Sequence, residues 1–194
     1  SAAFASAGVL NATLDGSAVL IGTKEAYEAG AGSSEKFAAR DAGAAGNNLR
    51  VVIVDRGADF TIAKSGHGLA VGGTYTDDNS VGHEVVEVIN ANSFRVVQGT
   101  AAPTPASGDT STAFSNSDWN ATAIASTGLT YKNIGPRPGT SAYASERHLS
   151  HDEVHVAVID ESTNTVVERL LYLSKLSDGK SPEGASTYWK DYVN

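Results

Sequence analysis

The sequence contains no cysteine and no methionine, and it has only five prolines and two tryptophans. Without cysteine the chain can form no disulfide, no thiolate zinc site and no thiol-based active site. The strongest apolar runs, Val19–Ile21 and Val51–Val54, fall far short of the roughly 20 residues that a membrane-spanning helix needs. We therefore expect no membrane span.

The charge balance argues against one further class of protein. With 14 basic and 22 acidic residues, the formal net charge is -8. Nucleic-acid-binding surfaces cluster lysine and arginine, so we expect no nucleic-acid partner. Valine, isoleucine, leucine and phenylalanine together make up only 41 of the 194 residues. A core this thin indicates that neighbouring subunits or further chain contribute to stability.

The first half of the chain predicts strands and short helices. A buried strand is expected over 17–23, followed by two short helical pieces over 24–29 and 34–40. The β-branched run Leu49–Asp55 is the clearest strand signal of this half. The segment 58–63 is expected to continue that strand or to pair with it.

The composition changes between residues 65 and 99, where glycine becomes frequent. Three short strands are expected there, over 69–76, 84–89 and 94–97. Asn90–Ser93 forms the turn of a hairpin, because asparagine tolerates the left-handed conformation that such turns use. These strands predict a small antiparallel β subdomain inserted into the main domain, whereas 100–120 reads as a long loop.

The last third of the sequence predicts an extended segment, a hairpin and a helix. Two prolines within Gly135–Ser141 prevent a helix there. The runs 154–161 and 165–174 alternate around a polar turn and predict a β-hairpin. The aromatic residues of 185–194 recur at helical spacing.

Together these patterns predict an α+β (mixed α/β) fold that is rich in strands. We divide it into a first part with its N-terminal lead-in (1–64), an inserted β subdomain (65–100), a Pro/Ser/Thr-rich linker (101–128) and a second part (129–194). At 194 residues the chain has the size of one domain with room for one small insertion.

The most tempting chemical motif is the run from His151 to His155. Metalloproteases place two histidines four residues apart on a helix, with a glutamate after the first. Here that position is Asp152, and the run leads into a predicted strand, where 151, 153 and 155 would share one face. The run is better explained as the polar beginning of a strand. A metal-dependent hydrolase that uses His151 and His155 is therefore the weakest of the three functions that we consider for this chain.

Three other motifs have ordinary explanations. Gly43–Asn48 runs from helix to strand, opposite to a phosphate-binding loop. Asp77–Asn79 lacks the spaced oxygen ligands of a calcium loop and predicts a turn. Asn11 and Asn120 begin glycosylation sequons, a pattern that arises often by chance. We predict no catalytic, cofactor-binding or metal-binding residue, no cofactor, and a protein that is not an enzyme.

Two stretches of the sequence resemble a known family. The first is Phe37–Val51, with the glycine-asparagine turn Gly43–Asn48. The second begins with His151–Asp160 and continues through Val167–Arg169, Leu173–Lys175, Ser177–Lys180 and Gly184–Trp189, with Gly139–Ser141 upstream. In this order they resemble contractile phage tail sheath proteins, particularly those of T-even-like myoviruses and their cyanophage relatives.

The resemblance covers roughly 70 positions and has departures. Ala42 stands where the family has proline, and Thr163 and Asn164 replace turn glycines. The glycine-rich segment matches poorly and looks like a lineage-specific insertion of the kind that such sheaths carry on their outer surface. Family members are much longer, so the resemblance implies that the chain is a fragment that continues beyond Asn194.

The resemblance also implies a function. Sheath subunits polymerise as six-fold rings around a tail tube and contract to drive the tube through the host envelope, which delivers the genome. The implied partners are other copies of the chain, the tube protein, and the baseplate and tail terminator proteins. The implied location is the virion tail, after assembly in the bacterial cytoplasm. Tailocins and secretion-system sheaths share this mechanism.

The residues also leave a different class of function open. A β-rich surface or adhesin module that binds carbohydrate or protein would share the glycine-, serine- and threonine-rich composition and the inserted subdomain. A glycan bound by 65–99 would favour such a module, whereas tubular polymers would favour the sheath.

Overall fold

The computed structural model describes residues 48–192 apart from 56 and 125, together with the isolated positions 29 and 46. Strands predominate over helices in this part of the chain, which confirms the β-rich α+β class. The elements in chain order are β1 (Leu49–Asp55), β2 (Phe60–Ala63), β3 (Thr74–Thr76), β4 (Gly82–Asn90), β5 (Ser93–Val97), β6 (Thr110–Ala113), α1 (Asn116–Ala121), α2 (Tyr131–Ile134), α3 (Ala142–Ser145), β7 (Glu153–Asp160), β8 (Thr165–Ser174) and α4 (Trp189–Tyr192).

The first sheet has three antiparallel strands in the order β1–β7–β8. The β-branched run of β1 pairs with β7 without interruption, from Leu49 opposite Asp160 to Asp55 opposite Val154. The β7–β8 hairpin turns where the polar residues between the two runs predicted it. The strands predicted over 49–55, 154–161 and 165–174 are therefore confirmed, with β7 shifted by one residue.

The second sheet has five antiparallel strands in the order β3–β4–β5–β2–β6. The predicted β4–β5 hairpin is confirmed, but its turn does not use a left-handed asparagine, since neither Asn90 nor Asn92 has a positive φ. Instead the side chain of Asn90 accepts a hydrogen bond from the backbone nitrogen of Asn92 at 2.8 Å. An asparagine side chain can thus close a turn without a left-handed backbone.

Several expectations for the middle of the chain were wrong in detail. The 58–63 segment neither continues β1 nor pairs with it, because β2 crosses to the second sheet and pairs with β5 and β6. The predicted strand over 69–76 is reduced to β3 by the glycines that precede it. The stretch expected to be a linker contains β6 and α1.

The four described helices are short, and three of them follow a serine or threonine N-cap. Helix α1 is capped by Ser115, whose side chain accepts from the backbone nitrogen of Asp118, while the Asp118 carboxylate accepts from the backbone nitrogen of Ser115. This capping box satisfies donors that a six-residue helix cannot satisfy internally. The predicted C-terminal helix is a single turn, α4, within the described residues.

The main core lies between the two sheets. The rings of Trp119 in α1 and Tyr131 in α2 contact each other at a tilted angle with centroids 4.7 Å apart, and both are buried. Val52 and Ala157 reach them from the first sheet, and Val86 from the second. The opposite face of the first sheet is covered in part by Trp189. A separate cluster around Phe94 forms the second sheet's own core.

Some expectations lie outside the described residues. These are the strand over 17–23, the helix over 34–40 and nearly all of the helix over 24–29 and of the Gly43–Asn48 turn. The division into segments stays a prediction, although the second sheet includes β2 and β6, which flank the predicted 65–100 insertion.

Candidate functional site

The 151–155 motif contains a buried histidine whose ring nitrogens both have protein partners. His155 Nδ1 lies 3.0 Å from the backbone nitrogen of Tyr172, which can only donate, so Nδ1 is the acceptor. His155 Nε2 lies 2.7 Å from the carbonyl oxygen of Pro136, which can only accept, so Nε2 carries the proton. The imidazole is neutral, and burial lowers its pKa below the ordinary value. It has no lone pair left for a metal.

His151 does not complete a metal site. Its backbone has a positive φ of 60°, and its backbone nitrogen donates to Thr140 Oγ1 at 2.9 Å. Among the residues that the structure describes, no group of three or more histidines and carboxylates is placed to hold a metal ion. The hydrolase hypothesis therefore has no geometric support in this motif.

The buried imidazole predicts a pH dependence of stability. Because the pKa of His155 is lowered in the folded state, the unfolded state binds more protons below its own pKa of about 6.5. The contribution of the neutral His155 imidazole to the free energy of unfolding is complete above that pH. It is lost as the pH falls, by at most about 1.4 kcal/mol per pH unit. Urea unfolding between pH 7.5 and 5 measures it.

Two variants separate His155 from other titrating groups. His155→Gln keeps one donor and one acceptor but does not titrate, so we expect a shallower loss of stability on acidification. His148→Asn is the control, because His148 is exposed and its φ of 56° suits asparagine. Equal pH slopes for His155→Gln and the unmodified protein would contradict the assignment.

Asp152 is the centre of a second buried polar cluster. Its Oδ1 accepts from the backbone nitrogen of Ser141 at 2.8 Å. Its Oδ2 accepts from Ser141 Oγ at 2.8 Å and from Ser174 Oγ at 2.7 Å. The carboxylate thus ties the segment before α3 to the end of β8, and each bond uses a lone pair that a metal or a substrate proton would need.

Asp77 has the structural role that its turn signal predicted. Its Oδ1 accepts from the backbone nitrogens of Asn79 and Val81 at 3.0 and 2.8 Å, and its Oδ2 from that of Thr104 at 2.8 Å. These bonds, that of Thr104 first, lower the pKa of the Asp77 carboxyl. His83 Nε2 lies 3.4 Å from the same Oδ2. The carboxylate organises a turn and is not part of a calcium loop.

Replacing Asp77 by alanine is therefore expected to lower the melting temperature, because three backbone donors lose their acceptor. The neighbouring Asp78→Ala is the matched control, since the side chain of Asp78 is exposed. Thermal unfolding followed by circular dichroism compares the two. Similar melting temperatures for both variants would show that the Asp77 bonds contribute nothing to stability.

Two carboxylates at the ends of strands in the first sheet, those of Asp55 and Asp160, are paired with protein groups. Asp55 Oδ2 lies 2.8 Å from Lys175 Nζ in a largely buried ion pair. Asp160 Oδ1 accepts from the backbone nitrogen and Oγ of Ser162 in the β7–β8 turn. These contacts join Lys175 to β1 and close the β7–β8 turn.

The surface feature that distinguishes the first sheet is its outer strand, β8. The strand lies at the end of the order β1–β7–β8, and its pairing with β7 is interrupted twice. Tyr172, at the second interruption, has a φ of 57°, an uncommon conformation for an aromatic residue. Its ring meets His155 edge-on at 4.8 Å between centroids, and Val167 and Tyr172 are both exposed.

A segment that connects α2 to α3 is fixed along its length; we call Gly135–Ser141 the strap. The carbonyl oxygen of Gly135 accepts a hydrogen bond from Trp119 Nε1, and that of Pro136 accepts one from His155 Nε2. The backbone nitrogen of Gly139 donates to the Glu153 carboxylate, and that of Ser141 donates to the Asp152 carboxylate. The two prolines predicted its extended shape, but nothing in the sequence predicted that the 151–155 motif would hold it.

Sequence reasoning missed His83, Arg137 and Tyr172. The two prolines that flank Arg137 were the available signal for a rigidly held side chain, whereas the burial of His83 and the bulge at Tyr172 depend on pairing across the sheets.

Comparisons with known proteins identify no relative. The chain matches no family model, no curated protein and no solved structure. None of the helices in the described ranges has the length and apolarity that a bilayer crossing requires.

Proposed function

We propose that the chain is part of a contractile tail sheath subunit, a structural protein that polymerises around a tail tube. The observation that carries this proposal is the β1–β7 pairing. The two stretches that resemble the sheath family are separated by about a hundred residues, yet Leu49–Val51 at the end of the first pairs with Val158–Asp160 of the second. Chance resemblance gives no reason for the two to form one sheet.

The rest of the second stretch belongs to the same unit. Lys175 at its centre forms the ion pair with Asp55. Its last part returns to the sheet, where the backbone nitrogen of Ser174 donates to Thr187 at 2.7 Å. Trp189 then packs on Ile53 and Val154. The second stretch is therefore joined to β1, the strand in which the first stretch ends, by one hydrophobic cluster and one ion pair.

A structural role also fits the chemistry of the described residues. Two of their buried polar side chains, Asp152 and His155, use their donors and acceptors on the backbone and on neighbouring side chains. A polymer subunit needs surfaces that accept further strands rather than a reactive centre. Repetition of one contact by symmetry makes a weak interface sufficient. Contraction in this proposal consumes no nucleotide and is driven by better contacts between subunits.

Electron microscopy of the full-length protein tests the proposal. We expect hollow tubes or striated tails built from six-fold rings, alone or with a tail tube. Monomers under all conditions, with the fold intact by circular dichroism, would reject the sheath.

One observation favours the alternative of a carbohydrate- or protein-binding surface module. The second sheet has its own hydrophobic cluster, which includes Ile62, Tyr75 and Phe94. A sheet with a core of its own can carry binding loops independently of the first sheet. Binding to a glycan array that is lost on substitutions in 65–73, without any polymer in micrographs, would favour this module.

A further inference from the structure

The chain passes between the two sheets at two adjacent points, which we call the neck. It leaves the first sheet through Gly57–Asp59 and returns through Phe114 and Ser115. The two passages meet where the backbone nitrogen of Phe114 donates to the carbonyl oxygen of Asp59 at 2.7 Å. Any rotation of the five-stranded sheet on the three-stranded one must change the backbone here.

One side chain contacts both passages of the neck. Arg137 Nη1 donates to the carbonyl oxygen of Phe114 at 3.0 Å, and Nη2 donates to that of Ala58. The guanidinium also lies over the Phe114 ring, 4.9 Å from its centroid. Ala58 and Phe114 are both buried, so these bonds form largely away from water and gain strength from the low dielectric.

The strap holds Arg137 rigidly from the side of the first sheet. Pro136 and Pro138 restrict the backbone on either side of it, and the residue before a proline is confined to extended conformations. Pro136 is bonded to His155 and Gly139 to Glu153, both in β7. The strap is therefore hydrogen-bonded to β7, and Arg137 within it is hydrogen-bonded to the neck.

A second arginine contacts the same ring from the other sheet. Arg95 of β5 lies 4.6 Å from the centroid of Phe114 and pairs with Glu87 of β4 at 2.6 Å. The Phe114 ring is thus in contact with two guanidinium groups, one from β5 of the second sheet and one from the strap. Arginine suits this place because its planar fork reaches two carbonyls at once, whereas lysine presents a point charge.

We infer that Arg137 is a clasp that fixes the orientation of the five-stranded sheet relative to the three-stranded sheet. The hydrophobic core keeps the two sheets together, and the clasp selects one angle between them. This inference does not depend on the proposed function, since it rests on intrachain contacts alone.

The absence of native cysteine makes the inference directly measurable. Ala91→Cys in the β4–β5 turn and Thr163→Cys in the β7–β8 turn place one spin label on each sheet, at exposed positions. We expect a single narrow distance distribution by pulsed electron paramagnetic resonance. Adding Arg137→Gln is expected to broaden it or shift its mean, with Arg137→Lys giving an intermediate change.

Arg169→Gln is the matched control. Arg169 also donates two bonds to one backbone carbonyl, that of Asn133, but it does not contact the neck. A distribution for Arg137→Gln that equals those of Arg169→Gln and of the parent would overturn the inference. If Arg137→Gln fails to fold, the Arg137→Lys distribution decides, and one identical to the parent's would overturn it as well.

Discussion

Replacing His155 by leucine is expected to lower the free energy of unfolding by about 2–6 kcal/mol. The cost arises because two buried backbone groups lose their partner, the N–H of Tyr172 and the carbonyl of Pro136. Each unsatisfied buried group costs about 1–3 kcal/mol, and leucine supplies neither a donor nor an acceptor. Urea titration at pH 7.5 measures the difference.

Hydrogen exchange at Tyr172 localises the effect. The amide of Tyr172 is expected to exchange much faster in the leucine variant, while those of β4 and β5 keep their protection. His155→Gln, which retains a donor and an acceptor, should recover part of the loss. A leucine variant as stable as the parent would show that the two bonds do not hold the bulge.

Replacing Asp152 by alanine is expected to cost about 3 kcal/mol or more, since each buried donor left without an acceptor costs about 1–3 kcal/mol. Three donors on Ser141 and Ser174 lose their acceptor together. The segment before α3 then detaches from the end of β8, so protease cleavage near 139–150 should accompany the loss of stability.

Glu168→Ala serves as the control for this variant. Glu168 also lies in the first sheet, on β8, but its side chain is exposed, so its removal should change stability by less than about 0.5 kcal/mol. Ser174→Ala should reproduce only part of the Asp152 effect. If Asp152→Ala and Glu168→Ala are equally stable, the cluster around Asp152 is not what holds the strap.

The strands with strong local patterns were predictable. β1 is a continuous β-branched run, and β7 and β8 flank a polar turn, so the sequence pattern alone placed all three nearly to the residue. Their pairing as one sheet was not predictable from pattern, because β1 and β7 are separated by about a hundred residues. The partner that the sequence analysis considered for β1 was the segment 58–63, so the pairing with β7 was missed.

The errors lie where partners elsewhere in the chain decide the structure. β6, with the sequence Thr-Ser-Thr-Ala, has no apolar alternation and is a strand because β2 supplies its hydrogen-bond partners. Helix α1 lies in a stretch that looked like a linker, yet Trp119 anchors it in the core. The polar composition of this segment hid the apolar residues Phe114, Trp119 and Ile124, which attach it to the core.

The candidate site was predictable only in part. The sequence correctly identified the 151–155 run as unusual, and its lead into a strand was the right reason to doubt a helical zinc motif. The role of His155 depends on Tyr172 and Pro136, which lie 17 and 19 residues away along the chain. The role of Arg137 depends on Ala58, 79 residues away. Sequence spacing carries no signal for such contacts.

The most direct test of the central claim is cryo-electron microscopy of the full-length protein in the presence of a tail tube. The sheath account predicts a helical polymer of six-fold rings into which the β1–β7–β8 sheet fits as a repeated rigid unit. A protein that is folded, by the criterion of a cooperative thermal transition, and yet remains monomeric with and without tubes at high concentration would contradict it.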